Sequence, residues 1–184
     1  MVEPSQASSC NGASLAAIQH SGDAETDTLL AEIARRLKRC GYQVGGVVQS
    51  NVPQSDGRRC DMVLEELTSR QTVCISQQQG PGSRGCRLDS AALEHAVGLV
   101  EVSLQDGLDI LILNRFGKQE SEGRGFATTI AKAVDANIPV LIIINRDYAA
   151  AWHRFCGADG QVLKADPSEV NQWIDASLLA ARSS

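Results

Sequence analysis

The stretch LDILIL at residues 108–113 is almost entirely aliphatic, and IPVLIII at residues 138–144 has the same character. Continuously apolar runs of this length are typical of strands that helices cover on both faces of a parallel sheet. A helical apolar stripe follows each run, at residues 126–136 and at residues 148–155. The two runs therefore predict the central strands of a parallel sheet in an α/β domain.

The alternation of strand and helix continues on both sides of this pair. The other predicted strands are residues 15–19, 43–49, 61–67 and 72–76, of which the last two form a β-hairpin. The predicted helix ends carry capping residues and terminators: Ser21 or Asp23 and Gly41 for the first helix, Asp89 or Ser90 for the second, and Asp166 with Pro167 for the last. We expect a three-layer α/β/α fold with a mostly parallel sheet and a small β-hairpin insertion. Residues 15–184 would form it as a single domain, after a disordered tail at residues 1–14.

The composition restricts the class of protein. A length of 184 residues suits one domain, and the net charge of -5 argues against nucleic-acid binding. The sequence has no run near the ~20 apolar residues that cross a bilayer, and its polar N-terminus does not have the pattern of a secretory signal. We therefore expect a cytoplasmic protein that binds neither nucleic acid nor membrane, with homo-oligomerisation left open.

The loop after the first predicted strand has the strand–loop–helix context of a phosphate-binding Walker A motif. The segment QHSGDAET keeps Gly22 and the hydroxyl group of Thr26, but Glu25 stands in the place of the phosphate-binding lysine. Asp23 and Asp27 add carboxylates at the same helix end, where negative charge repels a phosphate. These acids either cap the helix without a ligand, or meet a cation, an arginine of a partner or a nucleotide held in another way.

The loop predicted after residue 113 takes the place where a Walker B strand ends in an acid that holds magnesium. Asn114 and Arg115 stand at that acidic position and at the next one, so neither residue can hold the metal or activate water. Lys118, Glu120 and Arg124 follow as ionisable groups. Since the metal-holding acid and the phosphate lysine are both absent, the sequence predicts no source of transition-state stabilisation for phosphoryl transfer.

A third candidate is the glycine- and arginine-rich segment GPGSRGCRLD at residues 80–89. Exposed amide groups, guanidinium groups and the positive end of a helix dipole suit an anion. Arg84 and Arg87 would supply the charge, next to Asp89 at the start of the helix. The alternative is a flexible loop whose arginines are solvated or paired with Asp89.

The six cysteines have no spacing typical of a zinc site, so we predict reduced thiols and no metal site. Neighbouring arginines would make the thiols of Cys60 and Cys86 more reactive, and the alternative, which composition statistics favour, is that both thiols are inert. Cys40 and Cys74 lie in helical and strand patterns and are predicted to be core residues. His20, at the tip of the first strand, occupies a functional position in folds of this kind.

Three strings make the sequence recognisable: CRLD at residues 86–89, NRFGKQE at residues 114–120 and GRG at residues 123–125. They resemble the signatures of an uncharacterised bacterial family, catalogued as a domain of unknown function, whose genes often lie near molybdenum-uptake and nitrogenase genes. The match covers residues 15–163.

That family is in turn similar to the small P-loop nucleoside-triphosphatases of thermophile type, whose Walker B loop reads Asp-Glu-Ile-Gly-Lys-Met-Glu. Gly117, Lys118 and Glu120 match this loop, whereas Asn114 and Arg115 replace its two acids. The resemblance implies a P-loop-NTPase-like fold and a link to molybdenum metabolism. The departures count against the hydrolytic activity.

From these observations we expect a non-hydrolytic protein that binds a small anion and contributes to metal homeostasis. The ligand would be a nucleotide with magnesium, or a metal oxyanion such as molybdate or tungstate. The predicted ligand-binding residues are Gly22, Thr26, Arg84, Cys86, Arg87, Asp89, Asn114, Arg115, Lys118, Glu120 and Arg124; no catalytic or metal-binding residue is predicted. One alternative is a nucleoside-triphosphate hydrolase or transferase that uses Lys118 and Glu120. Another is a protein-interaction module without a small ligand.

Overall fold

The structure is a computed structural model that describes residues 14–20, 25–52, 61–77, 87–158 and 160–183. Its strands are β1 (Leu15–His20), β2 (Val44–Val52), β3 (Asp61–Glu66), β4 (Thr72–Cys74), β5 (Ser76–Gln77), β6 (Arg87–Leu88), β7 (Ile110–Phe116), β8 (Val140–Asn145) and β9 (Gly160–Leu163). Its helices are α1 (Glu25–Arg39), α2 (Ser90–Gln105), α3 (Lys118–Ser121), α4 (Ala127–Asp135), α5 (Ala149–Cys156) and α6 (Pro167–Arg182). A short 3₁₀ helix, Arg146–Tyr148, leads into α5.

The main sheet has seven strands in the order β4-β3-β2-β7-β8-β1-β9. The five strands from β2 to β9 in this order pair in parallel, and β3 and β4 add an antiparallel extension at the β2 edge. The predicted α/β fold with a mostly parallel sheet is therefore confirmed. The predicted hairpin is β3–β4, and it continues the main sheet. A separate pair, β5 and β6, lies outside it.

Alternation along the central strands sends side chains into two apolar cores, one on each face of the sheet. Leu111 and Leu113 of β7 belong to the core that α2, α4 and α5 cover, whereas Ile110 and Ile112 belong to the core that α1 and α6 cover. The aliphatic stretch at residues 108–113 is continuous because β7 is buried on both faces. Helices on both faces complete the three predicted layers.

Several helix ends follow their predicted chemistry. Asp89 caps α2 by accepting hydrogen bonds from the amide groups of Ala91 and Ala92 at 3.0 and 3.1 Å. Asp166 caps α6 through the amide of Glu169 at 2.9 Å, and Pro167 opens that helix. The candidate caps Ser21 and Asp23, and residues 1–13 of the predicted tail, lie outside the described residues.

The structure corrects three local predictions. Strand β7 continues to Phe116, so the loop begins only at Gly117, because the Phe116 ring packs against Trp152 and makes the end of the strand part of the core. The prediction that Cys40 and Cys74 are core thiols was wrong. Cys40 lies in the exposed turn after α1, and Cys74 lies on the short edge strand β4 with its thiol outward.

Among the described residues, none of the helices has the length and apolar character needed to cross a bilayer.

Candidate functional site at the carboxyl edge of the sheet

The candidate site lies where β1 and β7 end and α1 begins. Strand β8 runs between β1 and β7, so the two strand ends stand on either side of it. The carboxyl edge of a parallel sheet is where ligands bind in folds of this type, because loops and helix N-termini meet there. The buried His20 closes β1, and Glu25 opens α1 with an exposed side chain.

A β-bulge shapes the end of β7. Leu113 pairs with Ile142 and Phe116 with Ile144, so β7 uses one residue more than β8 over this interval. A bulge redirects side chains locally and is common beside functional sites. Here it contains Asn114 and Arg115, the two residues that replace the Walker B acids.

The central contact of the site is an ion pair between Asp27 and Arg115. Arg115 Nη2 donates to Asp27 Oδ2 at 2.9 Å, which joins the first turn of α1 to the end of β7. The Asp27 carboxylate is buried, whereas the Arg115 side chain keeps 39% of its surface exposed. Within the described part of the chain, the buried atoms Asp27 Oδ1 and Arg115 Nε make no hydrogen bond. The pair is thus held at one point and retains one unused donor and one unused acceptor.

This pairing was missed at the level of the sequence, although a signal for it existed. An acid is lost from β7 and replaced by an arginine, and an additional acid, Asp27, is gained on α1. Two opposite charges at two positions that meet in this fold predict an ion pair.

Asn114, which stands at the position of the metal-holding acid, is buried and forms a hydrogen bond within the protein. Its Nδ2 donates to Gln49 Oε1 of β2 at 2.6 Å, and both side chains are buried. Asn114 Oδ1 is buried without a hydrogen bond among the described residues. Thr26 is also buried in the first turn of α1, one residue before Asp27. These two predicted site residues therefore flank the ion pair.

Glu120 is a structural residue of the loop after β7. Its Oε2 accepts from the Gly117 amide at 3.0 Å, and its Oε1 accepts from the Phe126 amide at 3.2 Å, so the buried carboxylate closes the loop on itself. Burial raises the pKa of Glu120, and the two amide donors partly oppose that rise. Gly125 has φ +56°, and a Cβ on it would overlap Glu120 Oε1. Both oxygens of the carboxylate are thus already engaged by amide groups of the loop itself.

Lys118 and Arg124 lie on the surface beside a residue that the sequence interpretation did not include. Glu122 pairs with the ammonium of Lys118 at 4.0 Å and with the guanidinium of Arg124. Both cations are mostly exposed, and neither contacts the buried pair. An anion that used them would have to displace Glu122.

The third predicted segment falls largely outside the described residues. Gly22 of the first loop and Arg84 and Cys86 of the third are not described, and for Arg87 only the backbone of β6 is. Asp89 is committed to the α2 cap. The structure thus brings the first and second loops together through Asp27 and Arg115. In the described ranges, no group of three or more His, Cys, Asp or Glu side chains is arranged to hold a metal ion.

The comparison with known families decides the relationship. The family described as protein of unknown function (DUF2478) matches residues 15–173. The chain belongs to this family. The predicted family resemblance is therefore confirmed.

Two relatives of the chain have names connected with nucleotides. The chain is 34% identical over 159 residues to the Molybdenum import ATP-binding protein ModC 2 of Bradyrhizobium diazoefficiens, covering 86% of this chain but 18% of that protein. It is 26% identical over 128 residues to the Nucleoside-triphosphatase THEP1 of Methanocaldococcus jannaschii, covering 66% of this chain and 72% of that protein.

A solved structure has the same fold. The crystal structure of THEP1 from the hyperthermophile Aquifex aeolicus superposes with a TM-score of 0.60 at 16% identity, over 88% of this chain and 95% of that one. This DUF2478 chain therefore has the fold of a P-loop nucleoside-triphosphatase.

Proposed function

We propose that this chain is a non-hydrolytic protein that binds an anion at the carboxyl edge of its sheet, with Arg115 as the central contact. The ligand class is a nucleotide or a metal oxyanion such as molybdate. The single observation that carries the proposal is the Arg115 guanidinium, which Asp27 holds through Nη2 while 39% of the side-chain surface remains exposed. Arginine suits this role because its planar fork of N–H donors matches phosphate and similar oxyanions.

The non-hydrolytic part of the proposal is supported by the groups that replace the catalytic ones. Phosphoryl transfer depends on a metal ion and cations that stabilise charge in the transition state. Asn114 stands where an acid would hold the metal, and its amide is bonded to Gln49. The alternative of a hydrolase using Lys118 and Glu120 is not favoured by the geometry, because both oxygens of Glu120 accept from backbone amides.

The proposed biological setting is molybdenum homeostasis in the cytoplasm, with residues 15–184 acting as one domain. Its support is the 34% identical region in a longer protein whose name is Molybdenum import ATP-binding protein ModC 2. A region of this kind that works in the same chain as an import ATPase would be placed to sense its nucleotide or its cargo.

Calorimetric titration at low ionic strength tests the site with a panel of anions: ATP and GTP with and without magnesium, then molybdate, tungstate, sulfate and phosphate. Arg115→Ala should weaken binding of the preferred anion by about tenfold, because it removes the main positive charge. Asp27→Asn should strengthen binding several-fold, because it removes the competing carboxylate and leaves Arg115 in place. Opposite signs for the two variants distinguish the site from a general loss of folding.

Lys132→Ala is the matched control. Lys132 forms a comparable ion pair with Glu101 at 2.7 Å on the surface, away from the carboxyl edge. Its replacement should leave anion affinity unchanged. If no anion in the panel binds, or if Arg115→Ala leaves the affinity intact, the proposed function is wrong. Release of phosphate from ATP or GTP by the unmodified protein would contradict its non-hydrolytic part.

A further inference from the structure

A second feature lies on the face of the sheet that α1 and α6 cover, away from the carboxyl-edge site. A groove of about 640 Å³ runs between α1, the start of α6 and the turn that joins β3 to β4. We call it the arginine groove because four arginines line it: Arg35, Arg36, Arg39 and Arg70. Leu29, the groove residue nearest in sequence to Asp27, lies about 200° away from it around α1, so the groove is on a different side of the helix from the Asp27–Arg115 pair.

The charge of the groove contrasts with that of the whole molecule. The chain has a net charge of -5, yet Glu32 is the one acidic residue among the groove-lining residues that the structure describes. Within the described ranges, Arg35 and Arg39 make no ion pair, and both are exposed. Their guanidinium groups therefore remain available to an anionic partner.

The walls of the groove are fixed by hydrogen bonds. Arg36 Nη2 donates to Asn171 Oδ1 at 2.8 Å, which ties α1 to α6. Lys38 Nζ donates to the Leu67 carbonyl, which ties α1 to the β3–β4 turn, and burial lowers the pKa of Lys38. A surface whose walls are already ordered loses little conformational entropy when a partner binds.

Arg70 lies in the tight turn between β3 and β4, where hairpin loops commonly include one residue in the left-handed region. It has φ +61°, in the left-handed region that a non-glycine residue seldom adopts. Such strain costs about 1 kcal/mol. The side chain is 78% exposed and pairs with Glu65 at 3.2 Å.

The floor of the groove is apolar and its rim is cationic. Leu29, Ile33 and Pro167 contribute the apolar surface. Small-molecule sites bury 70–90% or more of the ligand surface, whereas Arg35, Arg39 and Arg70 are exposed at the rim of this groove. A protein segment needs only one of its faces covered, and arginine clusters are a recurrent means of recognising acidic motifs.

We propose that the arginine groove docks an acidic, partly apolar segment of a partner protein, whose carboxylates pair with the arginines while its apolar side chains cover Leu29 and Ile33. This surface is independent of the anion site proposed above. It would give the protein-interaction alternative a surface on α1 and the β3–β4 turn.

The probe for the test is fluorescent poly-L-glutamate, with binding to the full chain followed by fluorescence anisotropy at increasing salt. The double variant R35E/R39E should weaken binding at least about tenfold, because each reversal removes an attraction and adds a repulsion. The matched control is K132E/R154E, which changes the net charge by the same amount on α4 and α5, on the other face of the sheet. The control should stay within about twofold of the unmodified protein.

Three outcomes would overturn the proposal. Absence of poly-L-glutamate binding by the unmodified chain is the first. Equal losses in the two double variants are the second, since binding would then follow net charge alone. The third is displacement of the probe by inorganic triphosphate at equal charge concentration, which would make the groove a small-anion site.

A second measurement, an NMR titration with the same probe, locates the binding. Amide shifts should map to the second half of α1, the start of α6 and the β3–β4 turn, and shifts confined to the carboxyl edge would assign the binding to the other site.

Discussion

Replacing Gly125 by alanine tests how the buried Glu120 carboxylate holds the loop after β7. Gly125 has φ +56°, and an alanine Cβ would overlap Glu120 Oε1 and lie 3.3 Å from its Cδ. The new methyl group would also lie 3.2 Å from Gln119 Cβ, so it has no space on the other side. The carboxylate must therefore move, and the amide of Phe126 loses its acceptor.

The expected cost has two parts. Forcing alanine into the left-handed region costs about 1 kcal/mol. Losing one hydrogen bond to a charged group in a buried place costs about 1.5–3 kcal/mol. Gly125→Ala should therefore lower the free energy of unfolding by roughly 2.5–4 kcal/mol, a large part of the stability of an ordinary domain.

Urea unfolding followed by tryptophan fluorescence measures this cost, since Trp152 is fully buried. Gly123→Ala is the matched control, because Gly123 has φ +77° and nothing within 4 Å of its added Cβ. It should cost only the conformational part, about 1 kcal/mol. In a Glu120→Ala background, the cost of Gly125→Ala should fall toward that value, and only the close approach to Gln119 Cβ should add to it. Equal losses for the two glycines in the unmodified chain would refute the role assigned to Glu120.

Three other charged side chains provide further tests. Arg115→Ala should lower the free energy of unfolding by about 1–3 kcal/mol, because it leaves the buried Asp27 carboxylate unpaired, and adding Asp27→Asn should restore part of it in urea unfolding. No loss in the single variant would contradict the ion pair. Because the pKa of Glu120 is raised, the folded state keeps the proton of this carboxyl group at pH values above its ordinary pKa of 4.5. The contribution of Glu120 to the free energy of unfolding is therefore greatest below pH 4.5 and falls as the pH rises through the folded-state pKa. Glu120→Gln should flatten that part of the pH profile, and an unchanged slope would count against the burial effect. Arg70→Gly should stabilise the chain by up to about 1 kcal/mol by relieving the left-handed strain, because its exposed pair with Glu65 contributes little, yet it should weaken poly-L-glutamate binding. A loss of stability would contradict the strain.

The central strands could be predicted from the sequence because burial on both faces leaves an unbroken aliphatic run. The same reasoning predicted that β7 ends at residue 113, three residues before its observed end at Phe116, because Asn114 and Arg115 interrupt the apolar run. What keeps them in the strand is a bulge, a hydrogen bond to Gln49 and the burial of Phe116 beyond them, all of which depend on tertiary neighbours. Strand β9 was missed because its short, half-exposed sequence has no clear alternation.

The candidate site could be located from the sequence but not resolved into its contacts. Position in an open sheet was enough to predict that the ends of β1 and β7 would matter. Asp27 and Arg115 were each recognised as unusual, yet they are 88 residues apart in sequence, and their contact depends on how α1 packs on the sheet. Glu120 was read as a ligand because its match to a known loop does not show which way its carboxylate points.

The two ends of the main sheet bear on how the chain behaves at high concentration. The edge strand β4 has three residues and the edge strand β9 has four. An exposed edge strand presents a row of unpaired amide and carbonyl groups, with which a strand of another molecule can pair. Very short edge strands are a common natural protection against aggregation by such pairing. In the part of the chain that the structure describes, the edges of the main sheet therefore offer little template for joining copies of the molecule into fibres.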